Sequence, residues 1–244
     1  MKRKSKKSLN IKPVALLAVA AVLLIGSTVG STQAALTYYS DNYSAQVTVS
    51  NIDIALLENG IGTTGNLLQS IDQESFRVGQ VYDEELSVKN TGAIDTYVRV
   101  ILTKSWQDAN GVKNTSLSPE LIELVTVNGN GWVEDTAAAT DERTVLYYTN
   151  PLKKGETSPI CTDTIGIDSA VTSKVNETRT TDANCTTITY TYAYNGYTFN
   201  VEAEVDAVQT HNAKDAIKSA WGIDVTVAEN GSLSSSNWVV KEVQ

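Results

Sequence analysis

Histidine, cysteine and proline are scarce in this 244-residue chain, and each shortage excludes a class of protein. Two cysteines are too few for a small domain held together by many disulfides. Four prolines and 15 glycines exclude collagen-like and low-complexity chains. With 41% hydrophobic residues, the chain has enough apolar material for one large globular domain or two small ones.

Common catalytic motifs are missing as well. A hydrolase with a serine or cysteine nucleophile usually needs a histidine base, and the single histidine, His211, stands just before a predicted helix, as a surface residue would. The sequence has no HExxH zinc motif, no glycine-rich phosphate loop and no GxSxG nucleophile elbow. We therefore predict that the protein is not an enzyme and that it has no catalytic, cofactor-binding or metal-binding residues.

Charge is unevenly distributed along the chain. The first 34 residues hold six of the 19 basic residues and none of the 28 acidic ones, so the remainder carries a net charge of −15. Such a body repels phosphate backbones, and we expect no nucleic-acid partner. Glu202, Glu204 and Asp206 alternate along one predicted strand and point to one face, which is typical of a solvated surface. A Ca²⁺ site is the alternative, because calcium prefers oxygen ligands.

The N-terminus has the three parts of a secretory signal peptide. Residues 1–12 are basic, Pro13–Gly26 is apolar, and small residues follow up to Ala34. We predict cleavage after Ala34, with Thr32 at the −3 position and Ala35 as the first mature residue. An uncleaved anchor is the alternative, but it would need about 20 apolar residues.

Export changes how the cysteines are interpreted. In an oxidising compartment, Cys161 and Cys185 can form a disulfide that closes a loop of about 25 residues, which would stabilise the fold by about 3 kcal/mol. The alternative is two free cysteines.

The mature chain has the composition and alternation of β-strands, with abundant Thr, Val, Ile and Tyr. We predict an all-β fold: an antiparallel, jelly-roll-like sandwich with one or two short helices, preceded by the cleaved signal helix. The predicted strands are 45–57, 85–89, 97–106, 143–149, 160–167 and 237–243, and the predicted helices are 121–125 and 212–221. Residues 59–65 and 169–184 are predicted loops.

A hairpin is predicted late in the chain. Thr186–Tyr194 and Tyr197–Val205 alternate on either side of Asn195-Gly196, which suits a type I′ turn. Three tyrosines share one face of the first strand: Tyr190, Tyr192 and Tyr194. Cross-strand packing explains them best, and a ligand-stacking platform is the alternative.

Several stretches resemble the TasA and camelysin family of secreted proteins. Members typically have G-T-x-A-aromatic-x-D around the cleavage site, which Ser31-Thr32, Tyr39 and Asp41 approximate. Three parts of the body also resemble the family. Leu86–Gly92 with Tyr97–Val100 resembles its strand, N-x-G turn and Y-V-R strand, and Trp132 with Tyr147-Tyr148 and Leu152–Thr157 resembles its W, Y-Y and L-x-x-G-E-x-T stretch. Ala203–Gln209 resembles its closing strand. The resemblance covers roughly residues 1–209.

The resemblance implies a secreted structural protein of the biofilm matrix that forms fibres by N-terminal strand exchange. It implies a SipW-type signal peptidase as partner, self-association into filaments, contact with other matrix or surface proteins, and an extracellular or cell-surface location in a Gram-positive type bacterium. The domains would be a signal peptide (1–34), an exchange strand (35–50) and a sandwich (51–244). The exchange strand is rich in strand-forming residues: Leu36, Tyr38, Tyr39, Tyr43, Val47 and Val49.

Two rival functions remain. A monomeric surface adhesin or ligand-binding sandwich would have the same composition. Camelysin has been described as a metalloprotease, but one histidine and no recognisable metal cluster leave little to bind a catalytic zinc.

Overall fold

A computed structural model describes residues 37–39, 51–63, 65–72, 74–182 and 185–240 of the protein, with 37–39 described by their backbone alone. All of them belong to one compact unit, Leu36–Gln244. The predicted signal peptide lies outside the described residues. So do the cleavage-site residues Thr32, Ala34 and Ala35, and the exchange-strand residues Leu36, Tyr43, Val47 and Val49.

The larger sheet is antiparallel and has seven strands. In spatial order these are β1 (Thr37–Tyr39), β14 (Thr198–Gln209), β6 (Thr96–Gln107), β10 (Arg143–Tyr148), β9 (Trp132–Asp135) and β17 (Trp238–Val239), with β7 (Lys113–Asn114) also paired to β6. The two longest strands, β6 and β14, pair along twelve residues each and form the centre of this sheet.

Two smaller groups of strands form the opposite layer. One has the order β3 (Ile61–Gly62), β2 (Ile54–Glu58), β5 (Leu86–Asn90), and the other has the order β4 (Val81–Asp83), β11 (Thr162–Ile167), β8 (Ile122–Thr126). The segment that leads into β11 joins the two groups. Its Ser158 N–H donates to Val88 O at 2.8 Å, and its Cys161 N–H donates to Leu86 O at 2.7 Å.

The core lies between these layers and follows from strand alternation. On β6, Val98, Val100 and Leu102 point inward, as the sequence pattern predicts, and they pack against Leu86 and Val88 of the opposite layer. The prediction of an all-β antiparallel sandwich is confirmed.

The C-terminal segment covers the outer face of the larger sheet. It contains helix α1 (Ala213–Trp221) and the hairpin β15 (Thr226–Val227)–β16 (Leu233–Ser234). Ile217 and Trp221 of α1 are buried, and the Tyr97 hydroxyl donates to Gly231 O at 2.5 Å. This layer buries Tyr97 on the side of β6 opposite to the core.

One of the two predicted helices is present in the structure and the other is not. The predicted helix 212–221 is confirmed, and Gly222 ends it with a φ of 74°. Asn212 precedes it in the left-handed region and makes no side-chain capping bond, so the predicted cap is wrong. The predicted helix 121–125 is also wrong: a single 3₁₀ turn, Pro119–Leu121, capped by Ser118, leads directly into β8.

The predicted Asn-Gly hairpin is wrong as well. β13 (Thr186–Tyr192) pairs with β12 (Val175–Thr181), whereas β14 pairs with β6 and β1. Asn195-Gly196 still forms a turn, but this turn connects two different sheets. Consequently, the predicted loop 169–184 contains a 3₁₀ turn and a strand, and the β12–β13 hairpin is exposed along its whole length.

The two cysteines are free in the structure, which corrects the suggested disulfide. Cys161 is fully buried in the core, and Cys185 is exposed next to β13. Sequence spacing gave no information about this separation, because a disulfide depends on the distance between two Cα atoms.

Candidate functional site

The two edges of β14 differ in how much of them is paired. Along one edge, β6 pairs with all twelve residues. Along the other edge, β1 pairs only with Asp206, Ala207 and Val208. Within the described part of the chain, Thr198–Val205 has no strand on that side. We call Thr198–Val205 the open half and Asp206–Gln209 the closed half.

A cleft of about 1480 Å³ borders the open half. Its floor comes from β14 and β6, where Phe199, Val201 and Ala203 point towards the core. Its far wall is the segment 65–72, which follows β3. The apolar side chains of this wall are Leu67, Leu68 and Ile71. An open sheet edge beside an apolar cleft presents both backbone hydrogen-bonding groups and hydrophobic surface.

One end of the cleft is a cluster of aromatic rings. Trp106 of β6 meets Tyr194 edge-on, with ring centroids 4.8 Å apart, and Phe199 contacts Phe76 at 5.2 Å. Hydrogen bonds fix two of these rings on either side of one residue, Ser118. The indole N–H of Trp106 donates to Ser118 O at 2.8 Å, and Ser118 N–H donates to the Tyr194 hydroxyl at 3.1 Å.

The wall segment is held to β2 by polar contacts. Gln69 N–H donates to Glu58 Oε1 at 3.1 Å, and Asn59 Nδ2 donates to Ser70 Oγ at 3.0 Å. Within the wall, Gln69 Nε2 donates to Asn66 O at 2.7 Å. These hydrogen bonds, together with the packing of Leu67, Leu68 and Ile71 against the core, hold this side of the cleft in place.

The closed half is fixed by a buried ion pair. Arg99 of β6 binds Asp206 of β14, with Nε donating to Oδ2 at 2.9 Å. Asp206 is fully buried, and the guanidinium carbon of Arg99 lies 5.4 Å from the ring centroid of Trp221. Tyr147, whose pKa burial raises, lies between Trp221 and Trp238, with centroid distances of 5.5 Å and 4.8 Å. The C-terminal layer thus seals this half.

The three carboxylates expected on one solvated face separate into two environments. Glu202 and Glu204 are exposed beside the cleft, and Asn200 Nδ2 donates to Glu202 Oε1 at 2.8 Å. Asp206 is instead bound to Arg99, so the three do not form a common Ca²⁺ site. In the described ranges, no three His, Cys, Asp or Glu side chains lie together as metal ligands would, and His211 is exposed.

The structure describes only part of the predicted exchange strand. The backbones of Tyr38 and Tyr39 lie in β1, opposite Ala207 and Asp206. Of the tyrosine row, Tyr190 and Tyr192 are exposed on β13, and Tyr194 lies in the aromatic cluster. Sequence reasoning missed the wall segment 65–72 entirely. Its sequence signal was weak, since two adjacent leucines and an isoleucine in a polar stretch fit no periodicity.

No protein-family model, curated protein or solved structure matches the chain. In the part of the chain that the structure describes, no helix is both long and apolar enough to cross a membrane. The open half of β14 and its cleft are therefore the features from which a function can be argued.

Proposed function

We propose that this protein is a secreted structural subunit that forms extracellular fibres of the biofilm matrix, with the N-terminal segment of one copy entering the cleft of the next. The observation that carries the proposal is the open half of β14. Its unpaired backbone groups and the adjoining apolar cleft suit an added β-strand, which supplies main-chain hydrogen bonds and fills pockets with alternate side chains.

The N-terminal segment is a suitable occupant because its start already pairs with the same edge. In β1, Thr37 lies opposite Val208 and Tyr39 lies opposite Asp206. The open half has eight residues, Thr198–Val205, and spans about 27 Å at about 3.4 Å per residue. Eight further residues of an N-terminal segment, 40–47, would cover it.

The register of β1 does not suit the rest of that segment. Continued along β14, it would place Ser40, Asn42 and Ser44 on the inward face, opposite Val205, Ala203 and Val201. A shift of one residue turns every side chain to the other face, because side chains alternate along a strand. Along the open half, the inward side chains would then be Asp41, Tyr43 and Ala45, together with Tyr39 or Val47 according to the direction of the shift. We propose that a donor segment from a second copy takes this shifted register.

Exchange of this kind propagates. A donor from one copy and a cleft on the next make a head-to-tail contact, which does not close on itself and builds a filament. The acidic body would oppose assembly at neutral pH and low salt, since like charges repel.

Deletion of residues 35–44 tests the proposal most directly. We expect the deleted protein to keep its circular dichroism spectrum and to form no filaments in negative-stain electron micrographs, at acidic or neutral pH. Mature protein beginning at Ala35 should form filaments, and protein with extra residues before Ala35 should not. Filaments from the deleted protein would contradict the proposal.

A matched pair of substitutions tests the register. In the shifted register, Tyr43→Asp removes the aromatic ring from the inward face and adds a second charge beside Asp41, and it should abolish filaments, whereas Asn42→Asp points outward and should be tolerated. The opposite pattern would show that the register of β1 continues into the filament.

The second candidate function is a monomeric ligand-binding sandwich or adhesin. The aromatic lining of the cleft favours it, since Trp106, Tyr194 and Phe199 offer ring faces to a ligand. Stable monomers at high concentration, together with quenching of Trp106 fluorescence by a specific ligand, would support this alternative.

A further inference from the structure

Two carboxyl groups lie buried at the end of the core, directly behind the wall of the cleft. Glu58 ends β2, and Glu84 lies two residues before Leu86, the residue opposite Glu58 in the sheet. The exposed fraction is 7% for Glu58 and 0% for Glu84. Burying even one ionised carboxylate is costly unless its charge is compensated, and burying two is costlier.

Among the described residues, neither carboxyl group forms a salt bridge with a basic side chain. Neither carboxyl oxygen of Glu84 accepts a hydrogen bond from any donor in the described residues. Burial raises the pKa of Glu84 first, and the charge of Glu58 and a hydrogen bond with it raise the pKa further, to about 8. Most other charged groups on the adjoining segments are acidic: Asp83 and Glu85 beside Glu84, Asp163 on β11, whose backbone oxygen accepts from Glu84 N–H, and Asp72 at the end of the wall. The basic residue of β5, Lys89, lies opposite Ala55, three residues before Glu58, and its side chain is exposed.

A proton between the two carboxyls would remove one of the two buried charges and would give Glu84 a hydrogen-bond partner. Two carboxylates carry only acceptors, so they cannot hydrogen-bond to each other, whereas a protonated Glu84 can donate to Glu58. Glu58 keeps its negative charge in this arrangement, and its Oε1 accepts from Gln69 N–H at 3.1 Å. The same carboxylate therefore contacts Glu84 on one side and the cleft wall on the other.

We propose that Glu58 and Glu84 share one proton in the folded protein, and that this proton holds the wall segment 65–72 in place beside the open half of β14. Loss of the proton leaves two buried negative charges in contact, which repel each other and release Gln69. The wall then opens at alkaline pH. As a control over strand entry, this inference rests on the proposed function, but the proton site itself does not.

The sign and size of the effect follow from proton linkage. A local opening that exposes Glu84 to water lets its pKa return towards the ordinary value of 4.5. Between that value and about 8, the closed form binds one proton more than the open form. The open population should rise about tenfold for each pH unit in this window, and it should level off above it.

The experiment uses the full mature chain at a concentration where it is monomeric. Carboxyl-detected NMR gives the pKa of Glu84, and amide hydrogen exchange at Gln69, corrected for intrinsic exchange, gives the opening of the wall from pH 6 to 9.5. The variants are Glu84→Gln, Glu58→Gln and, as an exposed neighbour, Glu85→Gln. We expect Glu84 to titrate near pH 8 and Gln69 to lose protection up to that pH in the wild type and in Glu85→Gln.

The two other variants separate the contributions. Glu84→Gln is neutral at every pH and should abolish the pH dependence at Gln69. Glu58→Gln removes the neighbouring charge and should lower the pKa of Glu84 by about one unit or more. Titration of Glu84 below pH 5, or Gln69 protection independent of pH in the wild type, would overturn the proposal.

A filament assay keeps the two hypotheses apart. If filaments form, Glu84→Gln should change the pH dependence of their growth rate above pH 7, and an unchanged dependence would overturn the control of strand entry. If no variant forms filaments, the proposed function fails, while titration and exchange still decide the shared proton.

Discussion

The closed and open halves of β14 share one strand and one neighbour, β6, yet their surroundings differ. The closed half has β1 on its free edge, and the Arg99–Asp206 ion pair and α1 cover its outer face. Among the described residues, no strand pairs with the free edge of the open half, and its outward side chains Glu202 and Glu204 are exposed.

The core changes along β14, but not at the boundary between the two halves. Ala207 of the closed half and Val205 of the open half belong to one cluster of buried side chains that includes Val98 and Val100. Val201 of the open half joins a cluster whose surrounding rings, such as Phe199 and Tyr194, are only partly buried. Among the described residues, one end of β14 is therefore paired on both edges, whereas the other end has a free edge. A partner strand can be added at that free edge.

Thiol labelling should give the largest difference, which is the difference in reaction rate between the buried Cys161 and the exposed Cys185. Burial raises the pKa of the Cys161 thiol to about 12, whereas Cys185 is exposed. We expect Cys185 to react with a thiol reagent at once. Cys161 should react at least about a thousandfold more slowly, since its reaction requires the protein to unfold. Titration of thiols in native and denatured protein measures this. No reactive thiol in denaturant without reductant would show that a disulfide forms after all.

Removal of the ion pair should cost most in stability. Asp206→Ala leaves Arg99 in a largely buried site without its carboxylate, which should lower the free energy of unfolding by about 3–5 kcal/mol. Glu204→Ala, an exposed position on the same strand, is the control and should change it by less than about 0.5 kcal/mol. Urea denaturation measures both. Equal effects would mean that the ion pair does not distinguish the two halves.

Stability should fall as pH rises from 4.5 to about 8. The folded protein keeps the Glu84 proton across this range while the unfolded chain releases it, so the folded state binds more protons. The free energy of unfolding should decrease by at most about 1.4 kcal/mol per pH unit. Comparison of the wild type with Glu84→Gln isolates this contribution from other titrating groups. Parallel pH profiles for the two proteins would refute the assignment to Glu84.

The smallest effect concerns the hydroxyl of Tyr194 at the end of the cleft. Tyr194→Phe removes the acceptor for Ser118 N–H and should cost about 0.5–1.5 kcal/mol. Tyr190→Phe, whose side chain is 61% exposed, serves as the control and should be near neutral. Thermal unfolding of both variants measures the difference. A neutral Tyr194→Phe would show that ring packing alone positions Tyr194.

Local patterns predicted the elements they could specify. β5 and β6 follow from alternation and the intervening Asn-Thr-Gly turn, and α1 follows from its apolar stripe and the terminal Gly222. The assignment of 121–125 to a helix was wrong because a cap and a proline indicate where a helical turn starts, not how long it continues. Ser118 caps a single 3₁₀ turn, after which pairing with β11 favours a strand.

The sequence did not predict which strands that lie far apart along the chain pair with each other. Asn195-Gly196 has the chemistry of a hairpin turn, but β14 pairs with β6, about a hundred residues earlier in the chain. Glu84 and Glu58 are likewise separated by 26 positions and are brought together by β2–β5 pairing. The wall segment 65–72 lines the cleft only because the fold places it opposite β14.

The sequence by itself determined the β-rich character of the chain, the inward positions of its longest strands and the position of its helix, because these depend on alternation and on neighbours within a few residues. Only the tertiary structure decided that Cys161 is buried in the core, that Asp206 is neutralised by Arg99 while Glu84 faces Glu58, and that Thr198–Val205 of β14 borders a cleft. Each of these depends on which distant strands meet, and that choice depends on the packing of the whole core.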